Sequence, residues 1–392
     1  MPDPEANISI PDAPVTGVVF FFCAMLALVL LEGCSAEGNS DGAMFGADVQ
    51  RTGVFPPGGP TTIDGAAWSF QTGGRVRSSP TVSSGTVYVG SEDGHLYAID
   101  AATGQQHWVF KTSGEVESSP AVSGGTVYVG SEDNHLYAID AATGQGQWTY
   151  ESSAGISSSP AISGGTVYVG NWDGSIYAID AKTGEQQWAF GSGRPLVHSS
   201  PAVSGGTIYV GTNDGCLYAI DAETGQEQWA FEAGGIVLSS PAVSRGTVYV
   251  GSMDGHLYAI DAATGQEQWA FKTDDVTFDG VYSSPAVSGG TVYFGSNDGY
   301  LYAIDAETGQ EQWAFKTSGE VQSSPAVSGG TVYVGSQDNH LYAIDAATGQ
   351  GQWAYEFSAG ISEFSAGISS SPAISGDTVY VGNWDSYLYA VE

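Results

Sequence analysis

The side chains able to do chemistry in this 392-residue chain are mostly carboxylates, with 43 Asp and Glu against 9 Lys and Arg, 6 His and 3 Cys. Asp100, Asp140, Asp180, Asp221, Asp261, Asp305 and Asp345 all stand in the same local context, Ala-x-Asp-x-x-Thr-Gly. Carboxylates can hold metals or move protons, but catalysis requires several different groups fixed around one atom. A group repeated in step points instead to a hydrogen bond to its own turn. His95, His135, His256 and His340 are likewise equivalent and far apart, so they form no metal-ligand set. The residues that break the pattern are more informative. Arg194 and His198 bound the least repetitive polar stretch, Arg194-Pro195-Leu196-Val197-His198, and are candidates for a specific contact. Trp172 and Trp384 share a Gly-Asn-Trp-Asp context and are candidates for contact with a partner protein or a glycan, with packing on an adjoining loop as the alternative. Cys23, Cys34 and Cys216 are too far apart to make a disulfide framework or a metal site. No catalytic, cofactor-binding or metal residue is assigned from these patterns.

Those residues must be positioned by something, and the repeat supplies it. Ser-Ser-Pro recurs with its proline at Pro80, Pro120, Pro160, Pro201, Pro241, Pro285, Pro325 and Pro372. Tryptophan keeps the same beat at Trp68, Trp108, Trp148, Trp188, Trp229, Trp269, Trp313 and Trp353. One unit parses into four short strands: Glu115 to Val122, Thr126 to Ser131, His135 to Asp140, and Gln147 to Tyr150. Period-two alternation and β-branched residues mark the strands, and Gly-Gly, Asp-Asn and Thr-Gly mark the turns. A four-stranded sheet of this size cannot bury both faces alone and must stack on its copies.

The expected fold is therefore all-β, an eight-bladed β-propeller of four-stranded antiparallel blades over residues 68–392. Trp68 precedes any Ser-Ser-Pro, and the last unit stops after Leu388-Tyr389-Ala390-Val391 without its tryptophan strand. The strand at Trp68 is expected to complete the last blade and close the ring, which leaves no free edge and makes a monomer. Two irregular spacings fall around Thr277-Phe278-Asp279-Gly280 and in the tandem duplication spanning 357–370.

A net charge of -34 excludes nucleic acid as a partner, since duplex binding needs basic side chains to displace counterions. Such an excess of acid repels itself unless salt shortens the screening length, to about 3 Å at 1 M, so a high-salt environment is expected. Residues 1–34 read as a membrane-targeting segment and 35–67 as a Gly/Pro-rich lead-in. The apolar run at 15–31 is followed by Leu31-Glu32-Gly33-Cys34, which resembles the lipobox of secreted lipoproteins, although Glu32 and the lack of a basic flank depart from it. Lipid anchoring through Cys34, an uncleaved anchor helix and a soluble secreted product are the three readings. Each places the rest of the chain outside the cytoplasm.

The unit Ala-x-Asp-x-x-Thr-Gly-x-x-x-Trp, first seen at Ala98 to Trp108 and repeated to Ala343 to Trp353, resembles the tryptophan-docking motif of the quinoprotein-like eight-bladed propellers. That group includes PQQ-dependent dehydrogenases and a noncatalytic outer-membrane assembly lipoprotein of bacteria. Met44 to Gly53 is similar to the lead-in of PQQ-like repeat proteins of haloarchaea, which implies that 43–67 pack on the disc. The resemblance implies that the eight repeat tryptophans are structural. It also implies, for an enzyme, calcium and PQQ held by unlike groups on particular blades. Near-identical blades present the same group eight times, so the preferred expectation is a noncatalytic cell-surface scaffold without a cofactor, contacting proteins or envelope components through its faces. The alternatives are a PQQ-dependent oxidoreductase acting on alcohols or sugars, and a propeller that binds a glycan or small ligand. Mass spectrometry of the mature amino terminus checks the anchor: a lipid-modified Cys34 is expected, and an intact Met1 would overturn processing.

Overall fold

In the computed structural model, the described residues are 43–192, 198–273, 280–357 and 367–392. They form eight four-stranded antiparallel sheets. The first blade, innermost strand to outermost, is Thr81–Ser83, Thr86–Ser91, His95–Asp100 and Gln106–Lys111. Blades 2 to 7 follow in chain order, and blade 8 is Ala373–Ser375, Thr378–Gly382, Tyr387–Val391 and, outermost, Ala66–Gln71. Trp68 pairs with Ala390, Ser69 with Tyr389 and Phe70 with Leu388, so the two ends share one sheet as the repeat phase requires. The apolar run 15–31, Cys34, Arg194 and most of both irregular insertions (274–279 and 358–366) lie outside the described residues. Among the described residues, no helix is long and apolar enough to cross a membrane.

The core lies between blades. Tyr88, Leu96 and Ala98 on one face of blade 1 pack with Val116, Val122, Val127, Val129 and Ile139 of blade 2. The Thr-Val-Tyr-Val-Gly segment carries glycine because the neighbouring blade comes close: a Cβ on Gly90 would collide with the Val116 carbonyl oxygen. Each repeat tryptophan donates its indole N–H across the blade boundary at 2.9–3.1 Å. The acceptors are the carbonyls of Ala101, Ala141, Ala181, Ala222, Ala262, Ala306 and Ala346 in turn, and Pro60 for Trp353. For Trp353, Pro60 of the lead-in stands where the other boundaries use the turn alanine.

The first strand is shorter than the sequence suggests, Ala121–Ser123 and not Glu115 to Val122. Ser-Ser-Pro explains the difference. Proline has no N–H to give a ladder, and both serines bond elsewhere. The first serine accepts the N–H of the glycine ending the second strand of its own blade, as Ser78 does from Gly90 at 3.0 Å. The second accepts the backbone N–H of the matching serine in the preceding blade. These bonds run Ser79 to Ser119, Ser159, Ser200, Ser240, Ser284, Ser324, Ser371 and back to Ser79, at 2.9–3.1 Å, a complete circle.

The lead-in packs on the disc as a strap. The innermost strands have no sheet neighbour on the channel side, and the N–H groups of Val122, Val203, Val243, Val287 and Val327 donate to the carbonyls of Ala43, Val49, Gln50, Thr52 and Gly53 at 2.7–2.9 Å. Arg51, only 2% exposed, donates to the carbonyls of Phe45, Ser159 and Pro201. Desolvation lowers its guanidinium to about 9, with nearby Asp48 opposing that shift. Farther along, Gly59 donates to the carbonyl of Gly376 in the turn after the first strand of blade 8. The strap therefore runs inside the channel from the Ser-Ser-Pro carbonyls that Arg51 binds to the Ser-Gly turn at Gly376.

Ser119→Ala removes the acceptor of a buried Ser79 N–H and should cost about 1–3 kcal/mol, whereas Trp108→Ala should cost about 3 kcal/mol. Leu238→Ala, one residue before a Ser-Ser-Pro, should cost about 1 kcal/mol or less. Chemical unfolding of the three variants in fixed molar salt checks the order, and equal losses would contradict the frame described.

Candidate functional site at the channel mouth

Three positions of each blade meet at one end of the channel. One is the residue before Ser-Ser-Pro, one lies two residues earlier, and one is at the hairpin tip between the second and third strands. The tip and the earlier position are tied by the backbone: Glu92 N–H donates to Arg75, Glu132 to Glu115, Trp172 to Gly155, Met253 to Ile236, Gln337 to Glu320 and Trp384 to Gly367. Around the ring the residue before Ser-Ser-Pro is Arg77, Glu117, Ser157, His198, Leu238, Tyr282, Gln322 and Ser369. The tip residue is Glu92, Glu132, Trp172, Asn213, Met253, Asn297, Gln337 and Trp384. The frame repeats and the rim does not. This corrects the expectation that near-identical blades leave no place for a unique site. Repetition holds at the joints and turns, whereas these rim positions change from blade to blade.

One sector of the rim is acidic. Arg77 bridges Glu92 at 2.9 Å and Glu117 at 3.1 Å, and carboxylate oxygens of Glu92, Glu115 and Glu117 come within 4.8 Å of one another. Burial raises the Glu92 and Glu117 carboxyls above their ordinary value, with Arg77 opposing. Glu132, beside them, is pushed up to about 7, first by burial and then by the charges of Glu117, Glu115 and Glu92. Arg75 and Arg77 both lie over the Trp384 ring, at 5.4 and 5.3 Å from its centroid.

A second sector is aromatic and hydrogen-bonding. Trp172 donates its indole N–H to Ser157 Oγ at 2.9 Å, and Ser157 Oγ stands 3.0 Å from His198 Nδ1. The His198 and Trp172 ring centroids are 6.3 Å apart. Desolvation lowers the His198 imidazole even though its edge stays open to solvent, so the ring is neutral near pH 7. Trp384 repeats the arrangement, donating to Ser369 Oγ at 2.8 Å. Next in the ring come Leu238, Met253 and Tyr282. Farther round, Gln337 donates to Gln322, which in turn donates to Glu320.

Trp172 and His198 are thus brought together, Trp384 stands apart at the equivalent position of blade 8, and the structure does not describe Arg194 or Cys34. His95, His135, His256 and His340 stay apart, each with Nδ1 3.1–3.4 Å from the aspartate of its own hairpin. Asp100 and its six counterparts accept hydrogen bonds from the Thr of their own turn, as Asp100 does from Thr103 N–H and Oγ1 at 2.8 and 2.7 Å. Cys216 is a free, half-buried thiol raised by burial and by Asp214. The acidic sector was missed at sequence level. Its signal was the pair of positions that differ when the repeats are superimposed, before Ser-Ser-Pro and before the hairpin Asp.

Comparison with known proteins agrees with this fold. Residues 62–244 match the family model described as "Beta-alanine-activating enzyme, beta-propeller", and residues 275–392 match that described as "Outer membrane protein assembly factor BamB". BamB from Moraxella catarrhalis superposes with a TM-score of 0.69 at 18% identity, over 83% of this chain and 99% of that one. The quinohemoprotein alcohol dehydrogenase from Comamonas testosteroni gives 0.74 at 18% identity, over 89% and 80%. The computationally designed Ika8 protein gives 0.71 at 21% identity, over 82% and 96%. No curated protein matches the chain. The protein is an eight-bladed β-propeller, related in fold to the BamB-type and quinoprotein dehydrogenase propellers.

The Glu132 carboxyl has a signed consequence. Its folded value of about 7 exceeds the ordinary 4.5, so between those values the folded state holds the extra proton. Its contribution to stability is complete below about pH 4.5 and is lost as pH rises through about 7. Glu132→Gln should therefore stabilise the protein more at pH 8 than at pH 5. Thermal unfolding at both pH values in fixed salt checks this, and an equal effect at both would contradict it.

Proposed function

We propose that this protein is a ligand-binding propeller whose working surface is the channel mouth on the Ser-Ser-Pro side. The observation that carries the reading is the contrast between a frame repeated eight times and a rim where carboxylates, guanidinia, two tryptophans, a neutral imidazole and amides are each placed differently. Polar groups held at the end of a concave channel are the usual makings of a specific small-ligand site. Fold likeness to BamB supports the related reading in which the occupant of this surface is part of another protein.

The second reading is a PQQ-dependent oxidoreductase, and the clustered carboxylates favour it. Glu92, Glu115 and Glu117 are the hard oxygen donors that calcium takes, and Arg75 and Arg77 would face the carboxylates of the quinone. When bound, the quinone would supply two-electron oxidation. The fit is partial: Arg77 already bridges two of the three glutamates, and four carboxylates in this sector oppose a polyanionic ring.

Thermal shift in molar salt separates these readings, using a panel of metabolites, saccharides and divalent cations, and PQQ with calcium. At least one panel member is expected to stabilise the wild type, with its shift lost in the Glu117→Ala/His198→Ala double variant. A shift that survives in that variant would move the site elsewhere. Retained quinone with substrate-dependent dye reduction would favour the oxidoreductase.

A further inference from the structure

We infer that the Trp172 sector of the rim is a seat for a neutral saccharide ring. The inference rests on the reading of the mouth as a ligand site and names what that site takes. A sugar ring has one face of C–H groups and a periphery of hydroxyls. It is held where a fixed aromatic plane is bordered by polar groups that both donate and accept.

Trp172 is such a plane. Its N–H is anchored on Ser157 Oγ at 2.9 Å, which fixes the indole by its polar edge. His198 borders the ring on the side of blade 4, neutral and hydrogen-bonded to the same Ser157. Glu132 borders it on the side of blade 2. Between them lies Gly155, where a Cβ would stand 3.2 Å from the indole and 3.3 Å from the Glu132 Cα. The absent side chain lets the backbone at Glu132 and the indole approach Gly155 from either side. A carboxyl near pKa 7 offers a donor and an acceptor to vicinal hydroxyls, and His198, whose Nδ1 is engaged by Ser157, offers its Nε2.

Blade 8 is an internal control. Gln337, Gly367, Trp384 and Ser369 repeat the same frame, but the next blade contributes Arg77 in place of His198. Arg75 and Arg77 lie over the Trp384 ring, whereas the described residues place the His198 ring beside Trp172. Glu92, Glu115, Glu117 and Glu132 repel uronates and sulfated sugars, which limits the class to uncharged rings.

The test is a glycan array followed by calorimetry on the full chain in molar salt, with Trp172→Ala, Trp384→Ala and Glu132→Ala variants. Binding of uncharged saccharides is expected, weakened about tenfold or more by Trp172→Ala and by Glu132→Ala, which leaves the ring in place, and little changed by Trp384→Ala. Circular dichroism confirms that each variant folds. Preference for acidic glycans, or saccharide binding indifferent to Trp172 and Glu132, would overturn the inference. If no saccharide binds while another panel compound still depends on Glu117 and His198, the sugar class falls and the mouth reading survives. If no panel compound depends on them, both fall.

Discussion

Closure governs this molecule. Eight sheets can form a disc only if each meets the next at the same angle and the last meets the first, and the serine circle is where that condition is enforced. Each link pairs one blade's backbone N–H with the next blade's hydroxyl, inside a buried ring where an unmade bond costs the full desolvation of its donor. Tryptophans tie the outer strands by the same logic, and apolar layers fill the space between blades. A change at any of these positions acts on two blades at once, which accounts for the near-identity of the frame.

Freedom is left where no joint passes. The residue before Ser-Ser-Pro and the hairpin tip stand outside the serine circle and the tryptophan joints, and where they touch across blades, as Arg77 touches Glu117 and Ser157 touches His198, the pair differs from one boundary to the next. Chemistry therefore accumulates at the mouth while the walls stay uniform. The strap makes the two ends of the channel unequal. It caps five inner edges with carbonyls and buries Arg51 among backbone acceptors, a costly placement for a cation that only dense hydrogen bonding sustains. Free inner edges would otherwise invite pairing with other chains.

Charge plays two separate roles. Across the surface, carboxylates are dispersed and solvated, and the turn aspartates are satisfied by the threonine of their own turn. At the rim, carboxylates crowd one another in partial burial, and their proton affinity rises instead of falling. The same residue type thus stabilises turns in one place and stores repulsion in another, where a ligand or a proton can relieve it.

The repeat made blade number, strand order and terminal pairing legible from the chain alone, because Trp68 and Tyr389 sit at complementary phases of one period. The anchoring role of Ser-Ser-Pro was not legible: the motif marked the beat, but the bonds of its second serine join residues 40 or more positions apart. Nor did sequence show that Glu132, Gly155, Trp172 and His198 are neighbours, since three different blades contribute them. Periodicity is a local property and determines each blade and how many there are. Convergence at a rim is a property of the closed circle, and only tertiary structure decides which unlike residues the circle brings face to face.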